Sequence, residues 1–166
     1  MSRPEQSDGL HQTPSARLAQ QGIELPEVVM PLAAYVPAVR TGNVVYTAGQ
    51  LPMTAGELPV TGKVGAEVSA DEAKSLARQC ALNALAAVDS LVGIDSVVRV
   101  VKVVGFVASA PGFNGQPGVI NGASELFAEV FGEAGSHARS AVGVSELPLD
   151  APVEVEVILE VRAEVA

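Results

Sequence analysis

Residues 96–109 read SVVRVVKVVGFVAS. β-Branched side chains this dense crowd the turns of a helix and suit a pleated strand. Strand alternation places Val97, Val101, Val103 and Val107 on one side and Val98, Val100, Val104 and Phe106 on the other. Both sides are apolar. A sheet that carries helices on one face only alternates apolar with polar residues, so the second face of this strand needs a cover. The cover is either the N-terminal 30 residues or another copy of the chain. No other element is spare, and a homo-oligomer is the expected solution.

The remaining elements frame that strand. Residues 69–93, SADEAKSLARQCALNALAAVDSLVG, read as the main helix, opened by an S-x-x-E capping box at Ser69 and Glu72 and closed by Gly93. Ala73, Leu76, Cys80, Ala84, Val88 and Leu91 form its apolar stripe. Residues 116–132 give a second helix ending at Gly132, and 15–26 a short one stopped by Gly22. A turn at Gly42-Asn43 feeds a Val/Tyr/Thr strand, and two further strands follow at about 137–145 and 152–162. The expected order is β-β-α-β-α-β-β. This is an α+β layer pair with a hairpin-rich sheet and both main helices on one face. Residues 1–30 are read as an N-terminal extension, with a frayed tail holding His11, and 31–166 as one domain.

Composition excludes several classes. With 48% hydrophobic and 17% charged residues the chain is globular. A net charge of −9 argues against nucleic acid, because phosphate binding needs a clustered positive footprint. The single Cys80 permits no internal disulfide, which fits a reducing cytoplasm, and its place on the helix stripe marks it as inert core. The polar start and the lack of any long apolar run predict a protein that is neither exported nor membrane-spanning. Two histidines and one cysteine give no metal-ligand spacing, so no metal and no cofactor is expected. The stretches GKVG and GQPGVING lack the Gly-Lys-Ser/Thr ending of a phosphate loop.

The most telling segment is 136–161, SHARSAVGVSELPLDAPVEVEVILEV. Its last strand puts Val153, Val155, Val157, Leu159 and Val161 on one face and Glu154, Glu156, Ile158 and Glu160 on the other. Carboxylates aimed at a covered face are costly unless paired or wet. Arg139, expected on the preceding strand of the same hairpin, is the candidate partner for Glu154 and Glu156. By itself it fits a structural ion pair as well as a ligand clamp.

Residues 31–163 resemble the RidA/YjgF family, also labelled the L-PSP endoribonuclease family. The likeness rests on AAYVPAVRTGNVVYTAGQLP as the opening hairpin and on Ala-Arg-Ser, Leu-Pro and the alternating Val/Ile-Glu strand at the C-terminus. The resemblance implies a chorismate-mutase-like α+β fold and a homotrimer with clefts between neighbouring subunits. It also implies hydrolysis of reactive enamines and imines such as 2-aminoacrylate to a 2-keto acid and ammonia. The family's carboxylate-clamping arginine maps to Arg139, the residue that positions or activates water to Glu154, the cleft tyrosine to Tyr35 and the helix-side asparagine to Asn121.

The chain also departs from the archetype. The cleft serine falls on Ala48, the cysteine two residues after the arginine on Ala141, and a following glutamate on Gly143. His137 replaces a proline-type residue, and the connection ASAPGFNGQPG is longer. These changes imply a roomier, more apolar cleft lined by Tyr35, Asn121, Ala48 and Ala141. Three functions stay open: an imine deaminase using Arg139 and Glu154, a non-catalytic trimer that binds small carboxylates, and a ribonuclease. The last is disfavoured by the acidic charge. A Ser140/His137/Asp150 triad can be written on paper but not fitted to neighbouring positions of one hairpin.

Overall fold

Valine density does build the central strand, and the sheet forms around it. The computed structural model describes residues 12–31 and 33–164; His11 lies outside them. The elements are α1 (Pro14–Gln20), β1 (Ala38–Thr41), β2 (Val44–Thr47), α2 (Ala70–Val92), β3 (Val97–Ala108), α3 (Gln116–Phe131), β4 (Ala138–Val144) and β5 (Val153–Val161). They make one five-stranded mixed sheet in the order β1-β2-β5-β3-β4, with α2 and α3 against one face.

Local chemistry sets most boundaries as expected. The Ser69 side chain accepts from the Glu72 amide and starts α2, and Gly93 ends it at φ 79°. Gly42 turns the β1–β2 hairpin at φ 55°. Ala73, Leu76, Cys80, Ala84 and Val88 are buried along α2, whereas Leu91 in its last turn is 45% exposed. Gly122 of α3 lies where a Cβ would come within 1.9 Å of the Lys74 carbonyl oxygen of α2. A glycine-to-alanine change inside a helix normally stabilises by roughly 0.5–1 kcal/mol. Here the clash decides the sign, and Gly122→Ala costs about 1–3 kcal/mol of overpacking. The expected result is a Tm lowered by several degrees in thermal denaturation; an unchanged or raised Tm refutes this close contact.

Two expectations about the sheet are corrected. First, β4 and β5 are not a hairpin. β3 lies between them, antiparallel to β5 and parallel to β4. Helix α3 carries the chain over the sheet from β3 to β4, and such a crossover returns the next strand parallel. Second, β3 does not keep one alternation. Register shifts lie between Val97 and Arg99 and between Val100 and Lys102. Each bulge inserts one residue and reverses the faces beyond it. Val97, Val100, Val103 and Val107 are therefore core, and Val101 is 42% exposed on the opposite face.

That opposite face carries Val39, Tyr46, Val98, Val101 and Val142, each 42–52% exposed. Helix α1 of the N-terminal extension does not cover it. Leu18 of α1 is buried, the Ser15 amide and hydroxyl donate to the Asp95 carboxylate at 2.8 and 2.6 Å, and the Gln21 side chain donates to the Glu129 carbonyl of α3. These contacts tie residues 15–21 to the helix layer. No helix among the described residues is long and apolar enough to cross a membrane.

Candidate functional site

The sheet register separates the two residues that the sequence reading joined. Arg139 pairs with Val103, a core position, so it lies on the helix side of the edge strand β4. Glu154 pairs with Phe106 on the other face. Within one chain Arg139 is not the partner of Glu154 or Glu156. The sheet itself stands between them.

Arg139 is held by α3. Its guanidinium donates to Asn121 Oδ1 at 2.7 Å, to Ser124 Oγ at 3.1 Å and to the Pro117 carbonyl at 3.3 Å. Helix α3 comes this close because Gly105 of β3 leaves no Cβ where the Ile120 side chain lies; one built there would be 2.3 Å from Ile120 Cδ1. Asn121 and Ser124 are three residues apart and share a helix face. Behind Ser124 stands His137. Its Nε2 is 2.9 Å from Ser124 Oγ, its Nδ1 is 2.6 Å from the Gly135 carbonyl, and its ring meets Phe127 edge-on at 5.9 Å. A carbonyl only accepts, so Nδ1 carries a proton, and in the neutral ring Nε2 accepts from the Ser124 hydroxyl. His137 thus bonds Ser124 rather than serving a triad with Ser140.

All the acceptors around the Arg139 guanidinium are neutral. Among the described residues the ion pairs are Arg40–Glu164, Lys63–Glu146, Lys74–Glu125 and Arg78–Glu129, and none uses Arg139. The positive charge is oriented but not neutralised, which is the condition of an anion clamp rather than a structural ion pair.

Ala141 follows Arg139 on the same face of β4, level with Gly105. Gly143 explains its own departure from the family pattern. A Cβ there would be 2.7 Å from Gln116 Nε2 and 2.9 Å from Ser109 Oγ. The Gln116 amide bridges Ser109 and the Phe113 carbonyl, so a side chain at 143 would have to displace that bridge.

Glu154 and Tyr35 come together at a second location. Both line a cavity of about 1220 Å³ bounded by Pro26–Pro31 and Ala33, the 49–56 loop, Asn83 of α2, and the turn at Pro148–Leu149. Gly49 packs against Glu154, with no room for a Cβ beside Oε1. Ala48 precedes it, its amide bonded to the Pro37 carbonyl. Burial raises the Glu154 carboxyl above its usual range, and Glu156 nearby adds to the shift. The folded state therefore favours protonated Glu154. That contribution to stability is complete below the ordinary carboxylate value and is lost as pH rises through the raised one. Glu154→Gln is expected to raise Tm at neutral pH, with the gain vanishing below about pH 4. A gain that persists unchanged in acid would mean that the charge is not its cause.

The sequence reading named Arg139, Asn121, Ala141, Tyr35, Ala48 and Glu154. It missed Ser124, signalled by its spacing from Asn121, and Gly49, Gln50 and Leu149 of the cavity. Among the described residues no cluster of three or more His, Cys, Asp or Glu is placed to hold a metal ion.

The family model for endoribonuclease L-PSP matches residues 25–161. The chain belongs to this family, the RidA/YjgF family. The RidA/YjgF chain is 42% identical over 150 residues to Protein TCP17 of Trypanosoma cruzi, covering 89% of this chain and 94% of that one. It is 34% identical over 141 residues to a 2-iminobutanoate/2-iminopropanoate deaminase of Dermatophagoides farinae, covering 84% and 95%. The solved structure of protein Atu1372 from Agrobacterium tumefaciens superposes with a TM-score of 0.83 at 45% identity, covering 90% of this chain and 92% of that one.

Proposed function

We propose that this RidA/YjgF protein is an imine deaminase acting on 2-imino acids, with its site completed between two subunits of a homotrimer. The observation that carries the proposal is Arg139: an oriented guanidinium whose partners are all neutral. It is suited to take a substrate carboxylate in its planar fork. The family relationship to a named 2-iminobutanoate/2-iminopropanoate deaminase supports the class of substrate.

The chemistry follows from the groups present. The substrate R–C(=NH)–COO⁻ is held by its carboxylate on Arg139, beside Asn121. Water attacks the imine carbon while Glu154 takes the water's proton. The tetrahedral carbinolamine then loses its C–N bond, and the proton leaves with nitrogen. The products are R–CO–COO⁻ and NH₃, and atoms balance with one water consumed. A carboxyl raised toward neutrality by burial is suited to both halves of this transfer.

Arg139 and Glu154 lie on opposite faces of one sheet, so this chemistry needs Arg139 of one protomer beside Glu154 of its neighbour. The uncovered apolar face, with Tyr46, Val101 and Val142 exposed, supplies the surface for that association. Sedimentation analysis is expected to give a trimer; a monomer at micromolar concentration would leave the site without its second half. The decisive activity test generates 2-aminoacrylate and 2-iminobutanoate enzymatically and follows their loss with and without the protein. Acceleration supports the deaminase. No acceleration by a folded trimer favours the second reading, a non-catalytic carboxylate binder, which the alanines at 48 and 141 in place of polar cleft groups would suit.

A further inference from the structure

The cavity that holds Glu154 is far larger and more apolar than a three- or four-carbon imino acid requires. Pockets for drug-sized molecules run from roughly 300 to 1,000 Å³, and this one measures about 1220 Å³. Its polar lining comes from Glu27, Tyr35, Gln50, Asn83 and Glu154. Val28, Met30, Leu51, Met53 and Leu149 supply apolar walls.

Two features show that the walls are built into the fold. Asn83, buried on α2, donates to the carbonyls of Leu51 and Met53 at 2.9 and 3.0 Å, and its own oxygen accepts from Gln79. A buried side-chain amide is thus committed to fixing that wall. The second feature is Leu149. It is 54% exposed and sits at φ 59°, ψ 20°, a left-handed conformation disfavoured for any residue with a Cβ. Turn chemistry alone would place Gly or Asn there. A strained, exposed leucine facing a cavity points to a role in that cavity.

From these walls we infer that the site selects 2-imino acids, and the 2-oxo acids they become, that carry a large apolar side chain, branched aliphatic or aromatic. The inference rests on the deaminase reading for its chemistry but not for its binding. C2 lies beside Glu154, the carboxylate reaches Arg139 of the neighbouring protomer, and the side chain extends along Leu51, Met53 and Leu149. Each buried methylene is worth roughly fourfold, so an isobutyl or benzyl group in place of methyl is expected to raise kcat/KM by on the order of tenfold or more.

The test has a catalytic and a binding arm. An L-amino-acid oxidase generates the imines of alanine, 2-aminobutyrate, leucine and phenylalanine in turn, and the intact protein's rate on each is measured. Calorimetry compares pyruvate with 4-methyl-2-oxopentanoate and phenylpyruvate. The expected result is a preference for the large side chains in both arms that falls severalfold in Leu149→Gly. Glycine fits that backbone better than leucine, so the variant reads the side chain and not misfolding. Turnover with equal or better rates on the short imines overturns the inference and leaves the deaminase. No turnover, with phenylpyruvate still bound more tightly than pyruvate, overturns the deaminase and upholds the pocket's selectivity. No binding preference in either arm overturns the inference.

Discussion

Arg139→Ala is expected to abolish measurable binding of 2-oxo acids and to lower kcat/KM for imines by at least roughly a hundredfold, the scale on which a hydrogen-bonded charge pair is broken by truncating one partner. The effect is large because the arginine is prepared in advance. Asn121, Ser124 and the Pro117 carbonyl hold one side of the guanidinium, so little side-chain freedom is lost when a carboxylate arrives. For the same reason Arg139→Lys is not expected to rescue. An ammonium group cannot satisfy Asn121 and Ser124 while presenting a second pair of donors. Calorimetry with 2-oxo acids and the coupled imine assay check both variants. Full activity in Arg139→Ala would reduce this residue to a tie between β4 and α3.

Glu154→Gln is expected to behave differently. Glutamine keeps the shape and the hydrogen-bonding reach but cannot take a proton, so kcat falls by about 10²–10⁴ while 2-oxo acid binding stays near the parent value. The two inactive variants also test the assembly. In a mixed trimer, a site that takes Arg139 from one protomer and Glu154 from the next is intact whenever each donor is unaltered. Mixing equal amounts of Arg139→Ala and Glu154→Gln after dissociation is expected to restore about a quarter of the sites. Activity that stays at baseline after proven subunit exchange would place both residues in one protomer's site or in none.

Much of this architecture was legible because the patterns carry direct physical meaning. Ser69 and Gly93 mark α2, Gly132 ends α3, and the Val/Glu alternation of β5 survives intact, with Val153, Val155, Val157, Leu159 and Val161 all buried. The register of β3 was not legible. Where nearly every residue is valine, both parities look alike, and a bulge leaves no mark on the pattern. Nor was the place of β4. A short connection between two strands suggests a hairpin, but the edge of β5 was already taken by the much longer β3. That error put Arg139 on the wrong face and paired it with Glu154. The family resemblance named Arg139 and Asn121 without pairing them, and it could not supply Ser124 and His137, whose contacts depend on how closely α3 lies on Gly105.

The crowding at Gly143 gives this lineage a direction. Gln116 and Ser109 stand where a side chain at 143 would go, so a glutamate introduced there alone must push the end of the Gln116 side chain aside, however useful its charge. The amide bridge of Gln116 must be dismantled first, and that in turn loosens the turn at Phe113. A route back to the archetypal charge pattern therefore runs through an intermediate that has given up one set of contacts before gaining the other. The order of substitutions matters here as well as their identity, and engineered reversions that change residue 143 by itself are expected to lower Tm more than the same change made with a shortened 109–116 connection.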